Sequence, residues 1–159
     1  MKKITLAFIL GTLSFLADAT IRNVPSSYST IQAALAACVA GDTVMVQPGT
    51  YNEHLVWPNT ANIKLYAASD SSNTTINGTH SGTVITFNHP TIDTNTIVRG
   101  FRITDGFVSG SSANGGGIYI SACSPKFVSD AITGNHIAAV NWGYGAGVYC
   151  NASSAIFYN

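Results

Sequence analysis

Among the residue types able to hold a ligand or do chemistry, the aromatics near the C-terminal end of this chain are the most suggestive. Tyr119 and Tyr149 stand thirty residues apart, and Trp142 and Tyr144 fall between them in the segment Asn141-Trp142-Gly143-Tyr144. Aromatic side chains combine a broad apolar face with a polar tip, so these four could form a platform for sugar rings. Asn114 and Asn141 could add hydrogen bonds, because a carboxamide both donates and accepts. The same residues have a structural alternative, in which the tyrosines form an exterior ladder and Trp142 covers a corner.

Acid–base chemistry is poorly provided for. After the first nineteen residues the only acids are Asp42, Glu53, Asp70, Asp93, Asp105 and Asp130. No two are adjacent or alternating, so no local carboxylate pair is ready for glycosidic hydrolysis and no acidic cluster for calcium. Glu53 and His54 are neighbours, but successive residues of a strand point to opposite faces; Glu53 is expected to accept backbone hydrogen bonds at the Pro-Gly-Thr-Tyr corner instead. His54, His80, His89 and His136 are scattered without metal-ligand spacing. Arg99 and Arg102 read as exposed strand residues, with carboxylate binding by Arg102 as the alternative. The expectation is therefore no catalytic residue, no metal and no cofactor in this chain. Cys38, Cys123 and Cys150 form no CxxC pair and read as small buried hydrophobes.

The elements that must position the aromatics are announced by a repeat. Gly115-Gly116-Gly117-Ile118-Tyr119 returns as Gly145-Ala146-Gly147-Val148-Tyr149, and Ala122, Ser124 and Phe127 recur as Ala152, Ser154 and Phe157. A fixed period of this size marks a stacked-coil solenoid. Strand alternation puts Ile118 and Ile120, like Val148 and Cys150, on the inner face and Tyr119 and Tyr149 on the outer one, stacked on successive coils. The leading glycines permit a left-handed backbone at the coil corner.

The whole composition agrees. The chain has 159 residues, 46% of them hydrophobic and only 9% charged, with seven basic residues against seven acidic. That is enough apolar material for one domain, and there is no basic patch for nucleic acid or an anionic membrane. Residues 1–19 read as a secretory signal peptide: Lys2-Lys3, an apolar run from Ile4 to Leu16, then Ala17-Asp18-Ala19. The run is too short for a membrane span, which needs about twenty residues. The mature chain is expected to begin near Thr20, secreted or at the cell surface.

Ser29 to Gly41 is the one helix the pattern predicts. Ser29 and Gln32 would make a capping box, Gly41 would close the end, and Ile31, Ala34, Leu35 and Cys38 share one face. Such a helix could cover the open end of a stacked core. The segments Thr43–Val46, His54–Trp57, Ile63–Tyr66, Thr74–Ile76, Thr83–Phe87, Thr96–Val98 and Phe101–Thr104 read as strands, separated by turns that include Pro48-Gly49 and Asn77-Gly78. Hairpin-like spacings also suit a β-sandwich, but a sandwich does not require one glycine–strand unit to recur in register. The expected fold is all-β: a right-handed single-stranded parallel β-helix of about five coils over residues 20–159, with an N-terminal capping α-helix.

Tyr28-Ser29-Thr30-Ile31-Gln32-Ala33-Ala34, Ala40-Gly41-Asp42-Thr43-Val44-Met45-Val46 and Pro48-Gly49-Thr50-Tyr51-Asn52-Glu53 resemble the N-terminal signature of right-handed parallel β-helix proteins of the pectin-lyase-like superfamily. Ile97-Val98-Arg99-Gly100-Phe101-Arg102-Ile103-Thr104-Asp105-Gly106 and the Gly-Gly-Gly-Ile-Tyr unit are similar to the internal coils of its secreted bacterial members. That resemblance implies a fold shared by pectate lyases, pectin esterases, polygalacturonases, phage tailspikes and surface proteins, and it does not choose among them. The Gln-Asp and Asp-containing Phe-Gly motifs of the pectin esterases are absent. Three functions stay open: an exported domain binding polysaccharide or another cell-surface ligand, the N-terminal part of a polysaccharide lyase or hydrolase whose site lies downstream, and a structural stalk or adhesin spacer. The chain stops at Asn159 partway through a coil, so further coils of the same chain are an expected partner.

Overall fold

A computed structural model describes residues 18–159. The expected leader, residues 1–19, lies outside them except for Asp18 and Ala19. Strand β1 (Ile21–Val24) and helix α1 (Ile31–Ala36) precede the coils. The first coil is β2 (Thr43–Val46), β3 (Gly49–Asn52) and β4 (Leu55–Val56); the second is β5 (Lys64–Ala67), β6 (Thr74–Asn77) and β7 (Ile85–Phe87). The third is β8 (Ile97–Arg99), β9 (Arg102–Thr104), β10 (Phe107–Asn114) and β11 (Ile118–Ser121). The fourth is β12 (Lys126–Val128), β13 (Ala131–Ile132), β14 (His136–Tyr144) and β15 (Val148–Asn151), after which β16 (Ile156–Tyr158) opens another rung.

Like strands stack on like. One sheet runs β1-β2-β5-β8-β12-β16, a second β13-β9-β6-β3 and a third β15-β11-β7-β4. Every strand pair is parallel, so the chain is a parallel β-solenoid. It completes four coils where the sequence suggested about five, because the steps from Thr43 to Lys64, Ile97, Lys126 and Ile156 are 21, 33, 29 and 30 residues rather than uniformly short.

The register explains the core. Val44, Leu65, Val98 and Phe127 stand directly above one another on the inner face of the first sheet, and all are buried. Inside, Trp57 stacks on Phe87 at 4.6 Å and Phe87 meets Phe127 edge-on at 5.7 Å, while Phe157, 45% exposed on the last rung, stacks on Phe127 from outside the buried set at 4.8 Å. Each such side chain removed from water contributes about 1.5–3 kcal/mol, and an ionised group at Val98 would break the column. Cys38 and Cys123 are buried as expected, but Cys150 is exposed: it takes the inward position of Ile120 on β15, the edge strand of its sheet among the described residues.

Helix α1 is shorter than the pattern suggested, and its N-cap is Thr30 rather than Ser29. The Thr30 hydroxyl accepts the Ala33 amide at 3.1 Å, while Glu53 reaches from the first coil to accept the Ile31 and Gln32 amides, both at 2.9 Å. Gln32, freed from any capping box, bonds the backbone of Val56 through both ends of its carboxamide. The helix ends early because Asp42 gathers the chain behind it. Its fully buried carboxylate accepts the Thr20 and Val39 amides and two guanidinium bonds from Arg22. Burial opposes that charge, but the bonds from Thr20, Val39 and Arg22 outweigh it and hold the Asp42 carboxyl below the usual range.

Two departures from the sequence reading shape the outer surface. Pro48-Gly49 does not merely turn the chain, since Gly49 begins β3 and pairs with Thr74 of β6. More consequentially, β10 and β14 bulge out of the solenoid. A Cβ on Gly106 would overlap the Gly116 carbonyl oxygen, so the chain leaves the coil and returns at nearly the same point. One coil on, the carbonyls of His136 and Ala146 both lie against Gly116. The two projecting loops pair with each other in parallel from Phe107↔His136 to Asn114↔Tyr144. Asn141-Trp142-Gly143-Tyr144 thus lies in the returning limb of a paired strand.

Candidate functional site

The loops and the neighbouring sheet form one aromatic strip. Tyr119 of β11 and Tyr149 of β15 are direct register partners. Their rings stack with centroids 5.4 Å apart and planes 29° apart, and Tyr144 leans over Tyr149 at 6.4 Å. Gly115 and Gly145, at φ of +67° and +64°, place both tyrosines at the same height; side chains there would run into the carbonyl oxygens of Ile118 and Val148.

Stacking uses one face of each ladder tyrosine, and both rings are half-buried. The open faces belong to the loop: Trp142 is 66% and Tyr144 55% exposed. They are two apart on β14 and therefore share a side of the strand. The outer loop, β14, has nine residues against eight in the inner one, β10, and the register slips between Gly110 and Ser112. The extra length sits at the tip, where Val140 is 81% exposed, with exposed Asn141 beside it.

Comparison of the chain with protein-family models, curated proteins and solved structures finds no match.

Of the six residues singled out from sequence, Tyr119, Tyr149 and Tyr144 come together, and Trp142 shares the limb of Tyr144. Asn141 is exposed at the loop tip. Asn114 is placed differently: its backbone pairs with Tyr144, but its Oδ1 is buried without a hydrogen-bond partner. Arg99 and Arg102 lie on different sheets, Arg99 with its guanidinium 4.0 Å above the Tyr66 ring and Arg102 exposed in register with Thr75 and Ala131. Among the described residues, no three His, Cys, Asp or Glu side chains are grouped to hold a metal ion.

Sequence reasoning missed a second stacked column at the base of the loops. Phe107 lies between His80, at 4.5 Å, and His136, at 5.5 Å, with both imidazoles near-parallel to the phenyl ring. His80 also reaches Asp105, with Nδ1 3.2 Å from Oδ1. The step from Phe107 to His136 is 29 residues, the same as the rung step from Ile97 to Lys126, and that equality was the available signal.

Proposed function

We propose that this chain is an extracellular right-handed parallel β-helix of the pectin-lyase-like type, with α1 as its N-terminal cap, and that it binds saccharide chains along the strip formed by Tyr119, Tyr149, Tyr144 and Trp142. The observation that carries the reading is the exposure of Trp142 and Tyr144 on a loop braced by its parallel neighbour β10. Two large apolar faces held open to water on a paired backbone are a pre-organised surface, for which little ordering remains to be done on binding. Asn141, exposed beside them, can donate and accept.

The strip favours an uncharged saccharide over a uronate polymer. Neither loop contains an acidic or basic side chain apart from His136. A glycan array probed with wild type and with Trp142→Ala tests the reading: neutral glycans should be retained by the first and lost by the second. An array on which wild type retains nothing would remove it.

A spacer role is the second reading, favoured by the nearly constant rung steps of 29 and 30 residues in the last coils and by the tyrosine ladder that joins them. It requires no ligand, and the array separates the two.

A further inference from the structure

Away from the strip, the structure brings together two residues that the sequence keeps 27 positions apart. His54, just after β3, and Ser81, in the turn before β7, meet across the first and second coils with His54 Nε2 3.2 Å from Ser81 Oγ. The other ring nitrogen, Nδ1, is 2.8 Å from the Thr83 carbonyl oxygen. A carbonyl only accepts, so Nδ1 must carry the ring proton; in the neutral imidazole Nε2 is then the acceptor, and the serine hydroxyl donates to it. Nucleophile, base and an orienting group behind the base are the three parts of an activated serine. Here a main-chain carbonyl does the orienting. The adjacent Glu53 has turned away to hold the α1 amides.

The serine is also held in place. Thr79, His80 and Gly82 around it all adopt the left-handed region, at φ of +50°, +54° and +57°. Such backbone persists where the surroundings enforce it, and it concentrates at functional sites. Enforcement comes from the Thr79 amide on Asn77 Oδ1 at 2.6 Å, the Ser81 amide on the Gly78 carbonyl at 3.0 Å, the His80 amide on the Asp105 carbonyl at 2.8 Å and the Phe107 amide on the Gly82 carbonyl at 2.9 Å. The hydroxyl has one competing acceptor, the Gly78 carbonyl, at the longer distance of 3.5 Å. Gly82 backs the imidazole, a Cβ there lying 3.6 Å from Cε1 and Nδ1.

We infer that Ser81 and His54 form a nucleophile–base pair that takes a small acyl group from a carboxylic ester. Ser81 Oγ attacks the acyl carbon while its proton passes to His54 Nε2. The tetrahedral intermediate collapses by breaking the bond to the alcohol oxygen, which leaves with the proton from Nε2. Water, giving a proton to Nε2, then attacks the acyl-serine; the carboxylic acid departs and Ser81 recovers its proton. The net change is ester plus water to acid plus alcohol. Both side chains are exposed, so the pair suits an acyl group presented on a polymer or surface. This inference is independent of saccharide binding along the aromatic strip.

The test uses p-nitrophenyl acetate with the full chain, following release of p-nitrophenolate and mapping the acetyl group by peptide mass spectrometry. Wild type should carry acetyl on Ser81, and Ser81→Ala should lose both label and release. His54→Ala should slow labelling about a hundredfold, as for loss of a general base, and added imidazole should restore part of that rate. Circular dichroism checks that both variants keep the wild-type fold. An acetyl group found only on lysine or tyrosine, p-nitrophenolate release by wild type no faster than by Ser81→Ala, or an unchanged rate in His54→Ala would each overturn the inference.

Discussion

The ring of Tyr119 lies against that of Tyr149, 5.4 Å away on the next coil, and the two are direct strand-register partners. A repeat visible in the letters of the sequence thus becomes a physical contact. Aromatic pairs are worth about 0.5–1.5 kcal/mol beyond the area they bury. A double-mutant cycle in urea on Tyr119→Ala and Tyr149→Ala should return a coupling of about 1 kcal/mol; additive losses would mean that the rings merely sit side by side.

Phe87 should be the costliest single truncation in the core. It is fully buried and touches Trp57 on one side and Phe127 on the other. Phe87→Ala should destabilise the chain by about 3–5 kcal/mol, read from the urea midpoint at constant slope. A loss under about 1 kcal/mol would contradict the stacked core.

Glu53→Ala tests whether helix α1 is held by the first coil. The carboxylate accepts two amides of the helix N-terminus, and bonds to a charged group are worth about 1.5–3 kcal/mol each. Hydrogen exchange at the Ile31 and Gln32 amides should accelerate well beyond any change in the β2 and β5 amides. Uniform acceleration through the domain would point to a general loss of stability instead.

Asp130 gives the chain an unusual pH response. Burial pushes its carboxyl up to about 6, although the Phe101 and Val128 amides, which it accepts at 2.8 and 3.2 Å, pull the other way. Between its ordinary value of 3.8 and about 6 the folded state holds a proton that the unfolded state has released, so this residue's contribution falls as pH rises through that window. Asp42 and Asp70, both held below the usual range, act in the opposite sense: what they contribute is present above about pH 4 and is lost as pH falls through their folded values. Comparing wild type with Asp130→Asn isolates the first effect. The wild type's stability relative to the variant should drop by on the order of 2–3 kcal/mol between pH 4 and pH 6, measured by urea titration; a difference independent of pH would refute the assignment.

The parts of this fold that were legible are those fixed by local alternation and by the thirty-residue return. The pattern at Thr43–Val46 matches strand β2 to the residue, and alternation puts Ile118 in the core and Tyr119 on the half-buried outer face, where the structure has them. What could not be read depended on partners distant in the chain. Gly49 looks like a turn residue and is a strand residue because β6 lies beside it. Ser29 and Thr30 are equally good caps by type, and the choice fell to Thr30 where Glu53 meets the next two amides. The segments Phe107–Asn114 and His136–Tyr144 are strands only because each is the other's neighbour. His54 and Ser81 share no motif at all, and only the stacking of coils brings them together.

The central claim, that the exposed aromatics of the outer loop are a saccharide-binding surface, is tested most directly by titrating the full chain with a neutral oligosaccharide while following tryptophan fluorescence. Trp57 is fully buried and Trp142 exposed, so a binding signal should come from Trp142. Wild type should show a saturable change, and Tyr144→Ala should weaken it at least tenfold, about 1.4 kcal/mol. A wild-type spectrum that does not respond to any neutral saccharide, or an affinity unchanged in both Tyr144→Ala and, by calorimetry, Trp142→Ala, would contradict the claim.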